Sequence, residues 1–219
     1  METNQATEKL VPCRLKESIG ETCCIFRAPP LLLQTNPLAF RPSIVSIGPY
    51  HSDDERLQMI QQHKHRFLEL FMETANQQGG SISMTFLETI VGDLEKDIRD
   101  AYSEPLQLSR EELVKIMVLD GCFVLMVILV ASKHVSLTNP NDTIFTLPWI
   151  VPTLRVDLLL LENQVPYMLL ETLFGKLGFP AYVDPKRLTC IFFESSLGYI
   201  CLRECWKTLQ IFNRDIFFI

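Results

Sequence analysis

The spacing of apolar residues along the chain predicts a series of amphipathic helices. Over residues 55–77 the apolar side chains are three or four positions apart: Leu57, Ile60, Phe67, Leu68, Phe71 and Ala75. This spacing places them on one face of a helix, and two glycines at 79 and 80 end the pattern. A second helix is predicted over 83–102, where apolar residues recur at 86, 90, 94 and 98.

The longest predicted helix runs from residue 109 to about 132. Ser109 and Glu112 have the spacing of a capping box, in which each side chain binds the backbone amide near the other. After Asp120 the sequence is apolar nearly all round, so this helix is expected at the centre of the core. A buried carboxylate is costly without a partner. Asp120 is therefore expected either to find a partner or to cap the apolar half of the helix beside Gly121.

Prolines organise the rest of the chain. Five of them between residues 28 and 50 predict an extended, irregular strap that lies across the core. Pro166 predicts a break between two short helices, 155–163 and 166–177, and residues 135–150 are predicted to form a loop. The apolar stretch 186–219 fits either a helix or a strand. The fold class is therefore mainly α: one helical domain with an irregular proline-rich N-terminal segment and few or no short strands.

Composition excludes several classes of protein. The chain has 219 residues, 47% of them hydrophobic, and a net charge of −6, so it can fill a core and is poorly suited to nucleic acid. The basic run HKHR at 63–66 is predicted to be a solvated helix face. Mean hydropathy of +0.16 raises the question of a membrane span. The uninterrupted apolar run from 121 to 131 is shorter than the ~20 residues a span requires, so no complete transmembrane helix is expected.

No metal or cofactor site is expected from the sequence. The seven cysteines are odd in number, and Cys201 and Cys205 have no second pair at zinc-finger spacing. Free thiols in a reducing compartment are the expected state. The acidic residues of 83–102 are interleaved with bases, which favours a solvated face. The polar N-terminus has no secretory signal, so a cytoplasmic protein, peripheral to a membrane at most, is expected.

The nearest approach to a catalytic grouping is Ser46, His51, Asp53 and Asp54, with His63 close to them in sequence. A nucleophile needs a base within hydrogen-bond reach and a third group that orients the base. The sequence contains no nucleophile elbow, zinc-protease motif or glycine-rich phosphate loop. No catalytic residue is therefore assigned, and a hydrolase that uses Ser46 and His51 remains an alternative. For His63, which lies on or beside the apolar face, a structural hydrogen bond is expected.

Four stretches in order resemble a plant family called domain of unknown function 247. They are CIFRAP at 24–29 with Asn36-Pro37 and VSIGPYH at 45–51, then LQMIQQHKHR at 57–66, MVLDGCF at 117–123 and DLLLLENQVP at 157–166. The resemblance implies a largely helical, plant-restricted protein with no assigned chemistry. Members often end in a transmembrane helix, and some look like self-incompatibility determinants of grasses, which implies recognition rather than catalysis.

The chain departs from the family pattern in three respects. Members are about twice as long. The family's C-terminal membrane anchor is not expected here, because the closing Ile-Phe-Phe-Ile is too short to span a membrane. Within the motifs, His65 stands where members usually have Trp, and the stretch after Phe123 lacks a usual acid. The predicted organisation is a polar leader at 1–19, a truncated family-like domain at 20–178 and an atypical apolar tail at 179–219. A non-enzymatic module that recognises an unknown protein partner is the expected function. A non-functional fragment of a longer protein is a further alternative.

Overall fold

The computed structural model describes residue 16 and residues 23–197, and this part of the chain is mainly α-helical. Its α-helices are α1 Pro30–Thr35, α2 Gln61–Gln77, α3 Met84–Asp93, α4 Glu95–Ala101, α5 Arg110–Ala131, α6 Thr143–Thr146, α7 Ile150–Asp157, α8 Tyr167–Phe174 and α9 Pro185–Leu197. Short 3-10 helices span Pro37–Phe40, Pro49–His51 and Glu55–Leu57. In place of strands, the described residues contain an isolated bridge between Ile25 and Tyr102. The predicted fold class is confirmed.

Helix α5 is the centre of the molecule. It packs against α2, α3, α4, α8 and α9, and it is buried on all sides from Met117 to Leu129. Both reciprocal hydrogen bonds of the predicted capping box are present at Ser109 and Glu112. By length and composition α5 could cross a membrane, and in this fold most of it lies buried among the other helices.

The predicted helix over 83–102 is two helices. Helix α3 ends at Asp93 and α4 begins at Glu95, with Leu94 between them. Leu87, Val91 and Ile98 are buried, while Phe86 is 38% exposed. The guanidinium of Arg110 donates to the carbonyl oxygen of Gly92 at 2.9 Å. A side chain that binds a carbonyl of the helical ladder competes with the ladder at the place where α3 ends.

The predicted helices around Pro166 are displaced. Helix α7 begins at Ile150, inside the predicted loop, and ends at Asp157. The following turn, 158–163, is held by main-chain hydrogen bonds, such as those from Leu160 to Asp157 and from Asn163 to Leu160, together with the side chains of Asn163 and Gln164. Pro166 caps α8 as the residue before its first turn. The expected break at this proline is confirmed.

The strap differs from its prediction in its first half. Residues 44–48 are buried, as expected of a segment that crosses the core. Residues 30–40 instead form α1 and the 3-10 helix Pro37–Phe40, and neither element contains a buried residue. Proline is well tolerated in the first turn of a helix, so the two prolines begin short helices here.

The apolar tail is partly described. Helix α9 places Leu188, Phe192 and Phe193 in the core beside α5 and α7, so residues 185–197 are helix. The leader 1–19, apart from Lys16, lies outside the described residues, as does the tail from 198 onward with Cys201 and Cys205.

Candidate functional site

Buried polar side chains fasten the strap to the helices. We call this group the polar core; its members are Lys64, Asp120, Asp157, Glu162, Asn163 and Gln164, all with little or no exposed surface. Apart from Gln164, each of them binds a main-chain atom of the strap. Buried main-chain groups need partners. The polar core supplies those partners because, in the described residues, the strap has no adjacent strand to pair with.

Lys64 and Asp120 form a buried ion pair between α2 and α5. Lys64 Nζ lies 2.5 Å from Asp120 Oδ1 and 2.5 Å from the carbonyl oxygen of Ser46. Asp120 Oδ2 accepts the amide of Gly48 at 2.8 Å. Burial raises the pKa of Asp120, and the Lys64 charge opposes that rise. Asp120 thus has a partner within a continuous helix, and the alternative in which it caps a half-helix is wrong.

The prediction of a solvated face for residues 63–66 is wrong for Lys64, which is 2% exposed. Lys64 lies four positions after Ile60 and three before Phe67, so it belongs to the apolar face of α2. The spacing from Ile60 and Phe67 indicates that Lys64 is on the buried face. The basic neighbours His65 and Arg66, both exposed, favour the solvated face instead.

Asp157 and Asn163 hold the extended part of the strap. The carboxylate of Asp157 accepts the amides of Ser43, Ile44 and Val45 at 2.8, 2.8 and 3.1 Å. Asn163 accepts the amide of Ile47 at 2.6 Å and donates to the carbonyl of Val45 at 3.1 Å. Burial raises the pKa of Asp157, and the three amide donors act in the opposite direction.

Glu162 brings together both ends of the strap. Its Oε1 accepts the amide of Ala28 at 2.7 Å, and its Oε2 accepts from Arg27 Nη1 at 3.1 Å. His51 Nε2, from the other end of the strap, lies 3.6 Å from the same Oε2. Arg27 also binds Glu104 at 2.9 Å and covers the ring of Tyr50.

Gly48 marks a close approach between the strap and the turn before α8. Its φ of 75° favours glycine. A Cβ atom at this position would lie 2.3 Å from the carbonyl oxygen of Gln164. The same carbonyl accepts the hydroxyl of Tyr102 at 2.8 Å, so a shift of the carbonyl away from a side chain at position 48 would disturb this hydrogen bond.

The candidate hydrolase residues do not assemble into a catalytic group in the part of the chain that the structure describes. Ser46 is 6% exposed, and its hydroxyl makes no hydrogen bond to His51 or His63. Asp54 caps a 3-10 helix and pairs with Arg56, while Asp53 receives a long hydrogen bond from Ser52.

The two histidines have different surroundings. Burial, assisted by the charge of Arg27, lowers the pKa of His51 to about 4. His63 is half-buried, and its Nδ1 lies 2.8 Å from Arg66 Nη2. Arg66 in turn pairs with Asp142 at 2.6 Å and so ties α2 to the loop before α6. The structural role predicted for His63 agrees with this contact.

Among residues 23–197, no three His, Cys, Asp or Glu side chains are placed to hold a metal ion. Cys23, Cys24, Cys122 and Cys190 are free thiols. A cleft of about 170 Å³ lies beside α2, lined in part by Arg66, Glu69, Glu73 and Asp142. This cleft contains no member of the polar core.

A segment with exposed apolar side chains lies next to the polar core. We call residues 30–40 the hairpin, because α1 packs against the 3-10 helix Pro37–Phe40. Leu31, Leu32 and Leu38 are 73%, 44% and 78% exposed. The exposure of Leu31 and Leu32 is the opposite of the expectation, since these apolar residues of the proline-rich strap are predicted to lie across the core.

The stretches that carry the sequence resemblance meet at the polar core. VSIGPYH supplies the strap backbone from Val45 to His51, LQMIQQHKHR supplies Lys64, MVLDGCF supplies Asp120, and DLLLLENQVP supplies the side chains from Asp157 to Gln164. Distant parts of the sequence thus build one set of hydrogen bonds, whose observed effect is to fix the strap and the base of the hairpin.

Comparison with known proteins gives the following matches. A family model described as DUF247, plant protein of unknown function, matches residues 25–198. The chain is similar to the UPF0481 protein At3g47200 of Arabidopsis thaliana, 45% identical over 189 residues that cover 85% of this chain and 38% of the relative. It is also similar to the putative UPF0481 protein At3g02645 of Arabidopsis thaliana, 27% identical over 150 residues, covering 68% of this chain and 26% of the relative. No solved structure matches the chain. The chain therefore spans well under half the length of either relative.

Proposed function

Because the chain belongs to the plant family DUF247, whose description assigns no function, we propose a function from its exposed surface: it is a protein-interaction module, and the hairpin binds an apolar groove of a partner protein. This family membership confirms the resemblance seen in the four stretches. The proposal concerns this domain, which corresponds to a minor part of its longer relatives.

The observation that carries the proposal is the exposure of three leucines on the hairpin, whose two ends are bound to the polar core. Leu31, Leu32 and Leu38 lie within eight positions of one another, on two short helices that pack together. Apolar side chains grouped on a surface are typical of interaction sites. Burial of each leucine by a partner would contribute about 1–2 kcal/mol, from which the costs of association must be subtracted.

The charge of the hairpin indicates the chemistry of the partner. Residues 28–40 contain no charged residue, although the chain has a net charge of −6. The centres of protein interfaces are depleted in charge, and short amphipathic helices commonly bind in apolar grooves. The proposed partner is therefore a protein with an uncharged apolar groove, encountered in the cytoplasm or at the cytoplasmic side of a membrane.

The experiment identifies the partner and then measures its affinity. A photo-crosslinking amino acid at position 32 captures neighbours in plant cells, and the same group at the exposed position Tyr182 is the control. The captured protein is then purified and titrated calorimetrically against the wild type and the double variant Leu31→Ser/Leu38→Ser. A loss of affinity of at least about tenfold is expected for the hairpin variant.

A matched variant and a lipid arm complete the experiment. Val156→Ser/Tyr182→Ser removes two exposed apolar side chains elsewhere and is expected to bind like the wild type. Equal losses in both double variants would overturn the proposal. Binding to phosphatidylcholine vesicles that depends on Leu31 and Leu38, without a crosslinked protein partner, would also overturn it and would indicate a lipid-binding hairpin.

A further inference from the structure

We propose that Glu162 is a latch for the hairpin: when its carboxylate is removed, the hairpin opens locally while the helical core stays folded. The regulatory meaning of the latch rests on the proposed function, since it would control the presentation of the binding surface. The local opening of the hairpin on loss of the Glu162 carboxylate is a property of this chain alone and can be measured without a partner.

The contacts of Glu162 converge from both sides of the hairpin. It binds the amide of Ala28 and the guanidinium of Arg27 before the hairpin, and it lies 3.6 Å from His51 after the strap has crossed the core. The side chain of Glu162 is 7% exposed, so solvent supplies little competition for these contacts. The hydrogen bonds from Ala28 and Arg27 to the carboxylate are charge-assisted and therefore stronger than neutral ones, whereas His51 Nε2 makes no hydrogen bond.

The two roots of the hairpin are held unequally. The second root, residues 43–45, is bound by Asp157 and buries Ile44 and Val45 in the core. The first root buries Ala28, and its amide is bound by Glu162. Further upstream, Cys24 and Ile25 donate to the carbonyl of Ala101. Arg27 also pairs with Glu104 at 2.9 Å, so residues 24–27 keep ties of their own. Loss of the Glu162 contacts should therefore free the first root from Ala28 onward while the second root stays attached.

The hairpin itself has few ties to the core. None of the residues of α1 or of the 3-10 helix Pro37–Phe40 is buried. Its amides bind within the hairpin, as in the bonds from Leu33 to Pro29, from Asn36 to Leu32 and from Ala39 to Asn36. Segments with few buried contacts open at a lower free energy than the whole protein, so opening between Ala28 and Pro42 can occur without global unfolding.

Amide hydrogen exchange of the purified chain tests the latch without a partner. Glu162→Gln preserves the size of the side chain and removes its charge, and Glu171→Gln neutralises an exposed carboxylate on α8 as the matched control. In Glu162→Gln, amides of residues 31–41 are expected to exchange at least about tenfold faster than in the wild type. Amides of α5 between 117 and 129 are expected to keep their wild-type rates.

Three results would overturn the latch. In the first, the hairpin amides of Glu162→Gln exchange at the wild-type rate. In the second, the amides of α5 are accelerated as much as those of the hairpin. In the third, the hairpin amides of the wild type already exchange at the rate of an unstructured peptide. If Glu162→Gln does not fold, Arg27→Gln weakens the same root and retains the Ala28 bond, and it is expected to accelerate exchange of the same residues. Hydrogen exchange could confirm the latch while the variant Leu31→Ser/Leu38→Ser still binds its partner with wild-type affinity. This pair of results would reject the proposed function and leave the latch standing.

Discussion

At the scale of the residue, Lys64 shows how a charge is accommodated in an apolar helix face. Its aliphatic stem lies among the apolar residues of α2, and its ammonium reaches Asp120 on α5 and the carbonyl of Ser46 in the strap. One side chain therefore connects three parts of the chain. Replacement of a buried pair by apolar residues is often tolerated, whereas removal of one partner leaves an uncompensated charge.

The first prediction is that Lys64→Met lowers the free energy of unfolding by about 3–5 kcal/mol, because Asp120 stays buried without its partner. The double variant Lys64→Met/Asp120→Asn removes that charge and keeps an oxygen for the amide of Gly48. It is expected to lose less than the sum of the two single variants. Urea unfolding followed by circular dichroism measures all four members of this cycle. Strict additivity would show that the pair does not interact.

The second prediction concerns pH and His51. The pKa of His51 is lowered from 6.5 to about 4 in the folded chain, so the unfolded chain binds more protons between these values. Stability contributed by the neutral ring is therefore complete above about pH 6.5 and is lost as the pH falls toward 4. The loss at this position amounts to at most about 3 kcal/mol. The charged groups around the ring are Arg27, Arg41, Asp54, Arg56 and Glu162.

The variant His51→Gln isolates this contribution. Burial raises the pKa of Asp120 and Asp157, and raised carboxyl pKa values favour the folded state on acidification, which is the opposite sign. The difference in unfolding free energy between wild type and His51→Gln should therefore shrink as the pH falls from 6.5 to 4. A difference that is constant over this range would contradict the assignment.

At the scale of the element, signals within one segment predict that a helix exists better than they predict where it ends. The capping box at Ser109 is confirmed, whereas the helix predicted over 55–77 begins only at Gln61, after a separate 3-10 helix at Glu55–Leu57. The interruption at Leu94 lies beside Gly92, whose carbonyl accepts from Arg110, 18 positions further along the chain. A contact between distant segments leaves no periodic signal in either of them.

The third prediction concerns the packing of α8 on α5. A Cβ atom at Gly121 would lie 2.6 Å from Leu173 Cδ1 and 3.3 Å from Leu169 Cδ2. Gly121→Val is expected to destabilise the fold by about 1–3 kcal/mol through overpacking, although glycine is itself unfavourable within a helix. Gly175→Ala is the control, because a Cβ atom there meets its nearest neighbours at 3.5 Å. Thermal unfolding should separate the two variants.

At the scale of the whole molecule, the polar core connects segments more than 100 positions apart. Asp157 and Asn163 bind Ser43 and Ile47 across such separations, and these bonds determine where the strap runs. The buried carboxylates therefore replace a β-ladder as the partners of the strap backbone. This arrangement explains how a segment rich in proline can cross a helical core with its main-chain groups satisfied.

The candidate site was predictable in part. Asp120 was expected to need a partner on the ground of burial alone, and the partner itself, Lys64, was assigned to the surface. Asp157, Glu162 and Asn163 fall within the predicted helix 155–163 and have no predicted role, because their bonds go to main-chain atoms that have no sequence signature. The hairpin is not predicted either, because the exposure of Leu31 and Leu32 depends on which other apolar segments of the chain occupy the core.

The sequence by itself determined the helical class, the central position of α5, the break at Pro166 and the family. Each of these depends on spacing, capping or composition within a short window, where physical preferences act locally. The tertiary structure decided which charges are buried, where α3 ends, how the strap is fastened and which leucines face solvent. Those outcomes depend on contacts between segments far apart in the chain, and such contacts exist only once the core has formed.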